Sequence, residues 1–200
     1  MPQKNEGNAP RIILASRSPT RRALLRILGL DFEVVPSNVD ERSLHLSSPR
    51  ALVRKLALLK ARTVAAKRQS GIVIAADTAV VLDKKILGKP SGSEEAREML
   101  VRLSGKVHGV ISGLCVIDLD SNERVLKSVT TKVKLRRLRY DVIDRYVRSG
   151  EPLGKAGAYA VQGRGAALVE WIKGCYYNVG GLPISSLVDI LESMEVEIFP

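Results

Sequence analysis

The run from Gly71 to Leu82 constrains this chain more than any other segment, because it is largely apolar and contains a single charged side chain, Asp77. Such a run predicts a buried strand, and a buried carboxylate is costly unless a metal, a substrate or a fixed cation pairs with it. Lys89 follows at what we interpret as the end of the returning hairpin strand. A carboxylate and an ammonium group at one sheet end suit metal-assisted chemistry on an anionic substrate. A purely structural Asp–Lys pair is the alternative.

Size and composition limit the class of protein. A chain of 200 residues with 45% hydrophobic content can bury one sizeable core, or two lobes that share a cleft. It has no apolar stretch of the length that a membrane helix needs. Residues 1–10 are polar and predict a disordered leader, whereas residues 11–200 predict a single domain of two lobes. Cys115 and Cys175 are too far apart for a CxxC metal or disulfide motif. We therefore expect a cytoplasmic protein; whether it forms a homodimer is left open.

The net charge of +11 raises the question of nucleic-acid binding. Only 4% of the residues are aromatic, and they do not form the stacking platforms of single-strand binders. No zinc-finger or RNA-recognition signature is present. A basic surface can equally steer a polyanionic small molecule such as a nucleotide. The composition therefore favours a nucleotide over a nucleic acid as partner.

A short strand over residues 11–15 leads directly into a predicted helix start. Ser18 is placed as its N-cap and Pro19 as its first residue, and Gly29 ends it. The free N–H groups of such a helix start, together with Arg21, suit an anion. An ordinary capped helix with a solvated basic face is the alternative.

A second predicted strand, residues 31–39, ends in Asp40 and Glu41, and Ser48-Pro49 then begins a long helix to about Arg68. Lys60 lies at the edge of this helix's apolar stripe, where it could either extend along the surface to solvent or point into a cleft. The stripe itself consists of Leu52, Leu56, Leu59 and Thr63.

The remaining pattern alternates helices and strands. Ser93 is predicted to cap a helix that ends at Gly105. An antiparallel pair of strands follows, over residues 107–118 and 124–138. The last predicted elements are a helix over 140–148, a strand over 166–172 and a final helix from residue 183 on. The stretch 151–165 is rich in glycine, which permits close backbone approach. It carries Lys155 and Gln162, and the amide of Gln162 could read a base edge. Standard phosphate-loop sequences are absent.

Together these segments resemble the Maf family (septum formation inhibitor Maf) of nucleoside triphosphate pyrophosphatases. Six blocks occur in the family's order and make the resemblance specific: Leu14–Pro19, Asp40-Glu41, Ala76–Thr78 with Gly88–Pro90, Leu103–Gly105 plus His108, Lys155–Tyr159 with Gln162-Gly163, and Gly181–Pro183.

The resemblance implies a mixed α/β fold: an elongated sheet with flanking helices and two lobes around a cleft, related to inosine triphosphate pyrophosphatases. It implies hydrolysis of a nucleoside triphosphate to the monophosphate and pyrophosphate with Mg²⁺ or Mn²⁺. Asp77 corresponds to the family's proton acceptor, and Glu41 and Asp77 are our candidate metal ligands. The implied catalytic set is Asp77, Lys89, Lys60 and Glu41, and the implied substrate-binding set is Ser16, Arg21, Thr78, Lys155 and Gln162.

Specificity is expected to depend on Thr20, Thr78 and Gln162. Thr78 resembles the branch that acts on dTTP and UTP. Three positions depart from the family pattern: Thr20 replaces an arginine, Gly92 an aspartate after Lys-Pro, and Gly154 an aspartate before Lys-Ala-Gly. Other nucleotides, such as CTP or 7-methyl-GTP, therefore stay open as substrates, as does a non-catalytic regulator that binds nucleotide or nucleic acid.

Overall fold

The computed structural model describes residues 10–41, 44, 46 and 48–199, so the predicted leader lies outside the described residues except for Pro10. The strands are β1 Ile12–Leu14, β2 Phe32–Val34, β3 Ile72–Leu82, β4 Lys85–Leu87, β5 Val107–Asp118, β6 Arg124–Leu135 and β7 Val169–Lys173. The helices are α1 Pro19–Arg26, α2 Pro49–Ala65, α3 Ser93–Leu103, α4 Tyr140–Arg148, α5 Tyr176–Val179 and α6 Ile184–Ser193, with short 3₁₀ turns at Ala156–Ala158 and Arg164–Leu168. No described helix combines the length and the hydropathy of a membrane span.

The strands form one seven-stranded mixed sheet in the order β2-β1-β3-β5-β6-β7, with β4 also paired to β3. β1 runs parallel to both β2 and β3, and the other pairs are antiparallel. The long central strand β3 pairs with β5 from Ile72 to Val81. The predicted mixed α/β sheet with flanking helices is confirmed.

Three apolar clusters surround the sheet, and β3 contributes to all of them. On one face, its first half packs against α1 and α6 through Ile72 and Ile74. On the other face, it packs against α2 through Val73 and Ala75. Its second half, starting at Val80, packs against α3 and α4. Strand β3 therefore connects all three clusters.

Local sequence signals placed two helix starts correctly. Ser18 Oγ accepts a hydrogen bond from Arg21 N–H at 3.3 Å, and Ser48 Oγ accepts one from Ala51 N–H at 3.4 Å. The predicted cap of α3 was wrong: Ser93 is its first residue, and Gly92 is the N-cap without a side-chain bond.

Several predicted strands and helices are shorter in the structure. The segment 31–39 pairs only at Phe32–Val34, because its partner β1 has three residues. Strand β6 ends at Leu135, where a bulge interrupts its pairing with β7. The start of the predicted strand 166–172 is a 3₁₀ turn, and α2 ends at Ala65 instead of about Arg68.

The buried face of α2 differs from the predicted leucine stripe. Leu52 and Leu59 are only partly buried, and the face on the sheet consists of Val53, Leu56, Ala57, Lys60, Ala61 and Val64. The reason is a close approach of backbones: a Cβ on Gly113 of β5 would lie 2.2 Å from the Val53 carbonyl oxygen. Small residues on α2 permit this contact, and the helix therefore turns Lys60 toward the sheet.

Candidate active site

A gap in strand pairing opens one edge of β3 near its centre. β1 pairs with Ile72–Ile74, and β4 pairs with Val80–Leu82. Within the described residues, no strand pairs with the intervening stretch on this edge, and Asp77 lies in its middle. The other edge is paired with β5 throughout. The carboxylate therefore lies on the stretch of β3 between its pairings with β1 and β4.

Asp77 forms an ion pair with Lys60 of α2. The Lys60 Nζ atom lies 2.6 Å from Asp77 Oδ1 and 2.6 Å from Glu41 Oε1. The side chains of Lys60 and Asp77 are 7% and 11% exposed, whereas that of Glu41 is 50% exposed. Lys60 therefore points into the cleft. The cation bonded to Asp77 is Lys60, not Lys89 as the hairpin suggested, because α2 presents Lys60 directly to the β3 face that carries Asp77.

Lys89 acts on the same cluster from farther away. It is exposed and lies two residues beyond β4. Burial would raise the pKa of Glu41, but the hydrogen bond from Lys60 and the charges of Lys60, Lys89 and Arg21 outweigh it and hold this pKa below 4.5. Glu41 is therefore a carboxylate at neutral pH, in a positive electrostatic environment.

Thr78 lies next to Asp77 but points to the opposite face of β3, as neighbours on a strand do. Its hydroxyl contacts Ser112 Oγ of β5 at 2.8 Å and accepts a hydrogen bond from the Arg21 guanidinium at 3.1 Å. Arg21 also donates to the Gly181 carbonyl at 2.8 Å. Burial lowers the pKa of Arg21, and the negative charges of Asp77 and Glu41 oppose that shift. Arginine stays protonated in proteins, so Arg21 brings a fixed positive charge to this wall.

The loop after β1 supplies the floor beside α1. Ser16 is buried, with 6% of its surface exposed, and its Oγ accepts a hydrogen bond from Ser18 N–H at 3.2 Å. Thr20 lies in the first turn of α1, facing the cavity. The predicted arrangement of strand, polar loop and helix start is therefore present at the cleft.

The facing wall comes from the glycine-rich stretch. Gly157 N–H donates to the Gly88 carbonyl at 3.0 Å, and a Cβ on Gly157 would lie 2.9 Å from Val80 Cγ1. With a φ of +71°, Gly157 adopts the left-handed conformation that glycine favours. Lys155 and Gln162 of this stretch line the same cavity as the carboxylates.

All the predicted site residues line one cavity of about 1170 Å³. They are Ser16, Thr20, Arg21, Glu41, Lys60, Asp77, Thr78, Lys89, Lys155 and Gln162. Gly154 also lines this cavity. Gly92 does not; it caps α3. The structure thus brings together residues that are far apart in sequence, while their individual roles remain predictions.

The oxygen donors suit a hard divalent cation. Glu41 and Asp77 both approach Lys60 and face the cavity. Among the described residues, no group of three or more His, Cys, Asp or Glu side chains could hold a metal by itself. Mg²⁺ commonly uses one or two carboxylates together with substrate phosphates. Lys60 Nζ already lies 2.6 Å from one oxygen of each carboxylate, so a cation would have to use their other oxygens together with substrate oxygens.

Sequence reasoning missed several supporting contacts. Ser112 contacts Thr78, and the Gly181 carbonyl accepts a hydrogen bond from Arg21. The first contact depends on the register of β3 and β5, and the second on the path of the loop before α6. His108 is part of one of the sequence blocks shared with the family, but no role was predicted for it. Its Nε2 atom lies 2.8 Å from the hydroxyl of Tyr159. Burial lowers the pKa of His108 to about 4, so it supports the cleft-lining Tyr159 as a neutral ring.

Comparison with known proteins identifies the relatives. A dTTP/UTP pyrophosphatase of Desulforamulus reducens is 52% identical over 187 residues, which cover 94% of this chain and 98% of the relative. A dTTP/UTP pyrophosphatase of Thermococcus onnurineus is 51% identical over 173 residues, covering 86% of this chain and 92% of the relative.

Two solved structures show the same fold at low sequence identity. The HAM1 protein of Coxiella burnetii has a TM-score of 0.52 at 16% identity, covering 92% of this chain and 99% of that one. The Ham1 protein of Staphylococcus aureus has a TM-score of 0.53 at 16% identity with the same coverage. The family described as Maf-like protein matches residues 11–194. Because that match spans most of the sequence, this chain belongs to the Maf-like protein family.

Proposed function

We propose that this chain hydrolyses nucleoside triphosphates, preferentially dTTP and UTP, to the monophosphate and pyrophosphate. The observation that carries the proposal is the buried Asp77–Lys60 pair, which faces a cavity lined by further cations. The dTTP/UTP pyrophosphatases that share 52% and 51% of their residues with this chain support the reaction and the substrate class.

Asp77 is the proposed general base for the attacking water. The ion pair with Lys60, at 2.6 Å, holds the Asp77 carboxylate in place. General-base catalysis of this kind contributes about 10²–10⁴-fold to a rate. Asp77 lines the cavity, which is the proposed route by which water and substrate reach its carboxylate.

The cations of the cleft would offset the charge that develops on the triphosphate. Lys89 and Arg21 are candidates, since both act electrostatically on Glu41. Lysine and arginine side chains that are already in position before the reaction stabilise the charge of the transition state, because they do not have to reorganise during the reaction. We assign Lys155, Ser16 and the start of α1 to substrate binding on the surrounding walls.

The proposed cofactor is Mg²⁺ or Mn²⁺. Glu41 and Asp77 would hold it, in agreement with the oxygen donor set described above. When bound, such a cation supplies Lewis-acid polarisation of phosphate oxygens.

For the cellular location we propose the cytoplasm. Cys115 and Cys175 are both free thiols. Free thiols suit a reducing compartment.

Base selection is assigned to Gln162, together with Thr78 and Thr20, which line the same cavity. An amide offers both a donor and an acceptor, which matches the N3–H and O4 of thymine and uracil. Cytosine presents the opposite polarity at N4 and N3. One fixed amide orientation would therefore separate dTTP and UTP from CTP.

A panel of triphosphates tests the proposal. Pyrophosphate release and monophosphate formation are measured for dTTP, UTP, CTP, GTP and 7-methyl-GTP, with Mg²⁺ or Mn²⁺ and in the presence of a chelator. We expect the highest kcat/KM for dTTP and UTP. Release of orthophosphate instead of pyrophosphate, or no turnover of any triphosphate, would contradict the proposed reaction. A preference for CTP or 7-methyl-GTP would contradict only the base selection.

A further inference from the structure

The backbone is anchored on both sides of Gln162 by two side chains that the proposed reaction does not use. Before it, Ala160 N–H donates to the hydroxyl of Tyr146 at 3.1 Å. After it, the N–H groups of Arg164 and Gly165 donate to the two carboxylate oxygens of Glu151 at 2.9 and 2.8 Å. These three bonds bracket the segment that carries the Gln162 side chain.

Tyr146 and Glu151 act as one unit. The Tyr146 hydroxyl donates to Glu151 Oε2 at 2.7 Å, so the carboxylate accepts three hydrogen bonds. Burial alone would raise the pKa of Glu151, but these bonds, led by that from Tyr146, hold it below its ordinary value. Burial, together with the bond to Glu151, raises the pKa of Tyr146, so its hydroxyl remains a donor. A charged acceptor and a neutral donor are thus maintained at neutral pH.

Two glycines let the segment close around this unit. A Cβ on Gly163 would lie 2.1 Å from Glu151 Oε1, and a Cβ on Gly165 would lie 2.7 Å from the Tyr146 hydroxyl oxygen. On the other side, the Gln162 carboxamide lies 3.4 Å from the position of a Cβ on Gly180. The backbone of Gln162 is therefore anchored on both sides, while its carboxamide lies beside Gly180 on the exposed side of the segment.

We propose that Glu151 and Tyr146 are positioning residues for base recognition: they fix the backbone around Gln162 so that its amide presents one orientation to the base. This inference rests on the proposed function. In the described residues, neither side chain has a hydrogen bond to the Asp77, Lys60 and Glu41 cluster. Loss of either should therefore affect which base is accepted more than the chemistry at the phosphates.

The test compares selectivity in matched variants. Glu151→Gln removes the charge at constant size, Tyr146→Phe removes the hydroxyl, and Gly163→Ala displaces the carboxylate without altering it. Glu192→Gln and Tyr140→Phe are the controls, since Glu192 is exposed and Tyr140 is 66% exposed. For each variant, kcat and KM are measured with dTTP and CTP, and the Tm is recorded.

We expect the ratio of kcat/KM for dTTP over CTP to fall about ten-fold in each of the three variants, the factor that corresponds to one lost charge-assisted hydrogen bond. The fall should come mainly from a higher KM for dTTP. Combined with Gln162→Ala, Glu151→Gln should have no further effect on the ratio, because residues that act through one another are not additive.

The possible outcomes distinguish a failure of the positioning role from a failure of the proposed function. An equal loss for dTTP and CTP, following the fall in Tm, would show a structural role and overturn the positioning role alone. The positioning role would also be overturned if Glu151→Gln still changed the ratio in a protein that carries Gln162→Ala. The same holds if the wild type does not distinguish dTTP from CTP. No turnover of any triphosphate by the wild type would refute the proposed function and this inference with it. If Glu151→Gln does not fold, Tyr146→Phe and Gly163→Ala decide the question.

Discussion

Replacing Lys60 with methionine separates its structural contribution from its chemical one. The substitution keeps the length of the side chain in the α2 face but removes the cation that lies 2.6 Å from Asp77. Asp77 would then remain in a site where its side chain is 11% exposed without its bonded partner. Removing one member of a buried ion pair typically costs about 3–5 kcal/mol.

The expected loss lies at the lower end of that range. Glu41, the other partner of Lys60, is 50% exposed and can be hydrated when the cation is removed. We therefore expect a decrease of about 3 kcal/mol in the free energy of unfolding. For a chain of this size, each kcal/mol corresponds to about 2–4 °C in Tm, so the Tm should fall by about 6–12 °C.

Urea unfolding followed by circular dichroism measures this change. Lys55→Met is the control, because Lys55 lies on the exposed side of the same helix and should change stability by at most about 0.5 kcal/mol. The double variant Lys60→Met/Asp77→Asn should regain much of the loss, since no buried charge is left unpaired. Equal stability of Lys60→Met and Lys55→Met, or a double variant no more stable than the single one, would refute the reasoning.

Three further predictions address catalysis and pH. Asp77→Asn should lower kcat by about 10²–10⁴-fold in a protein that still folds; near-normal turnover would exclude Asp77 as the base. Lys89→Ala should lower kcat/KM for dTTP at least about ten-fold with little change in Tm, because Lys89 is exposed and its lost partner is substrate phosphate; an effect confined to Tm would make it a structural residue. Because burial lowers the pKa of His108 from 6.5 to about 4, the unfolded chain binds a proton that the folded chain does not, and His108 makes stability fall as pH drops through this range. The Tm of His108→Gln should therefore decline less than that of the wild type between pH 6.5 and 4, and an equal decline would contradict the assignment.

Local chemistry in the sequence predicted the features that depend on neighbouring residues. The pairs Ser18-Pro19 and Ser48-Pro49 fixed the starts of α1 and α2, because a cap and its helix lie within a few residues of each other. The resemblance to a family then identified a set of candidate site residues, and these residues line one cavity in the structure.

Contacts between distant segments could not be predicted in this way. The face that α2 buries depends on the backbone contact between Gly113 and Val53, so the leucine spacing alone gave the wrong stripe. The same contact decides that Lys60 and not Lys89 bonds Asp77. The hydrogen bonds of Glu151 were hidden for a similar reason, since Arg164 and Gly165 lie 13 and 14 residues away from it.

The division of the core into clusters bears on how such an enzyme can diversify. Lys60 is carried by the helix whose Ala57 and Ala61 pack in one cluster, whereas the base-side wall is carried by residues such as Tyr159 and Val161, which pack in another. A substitution that remodels the second cluster away from β3 leaves the α2 packing beneath Asp77, the proposed general base, in place. Lineages can therefore exchange one accepted base for another while inheriting the same hydrolytic apparatus.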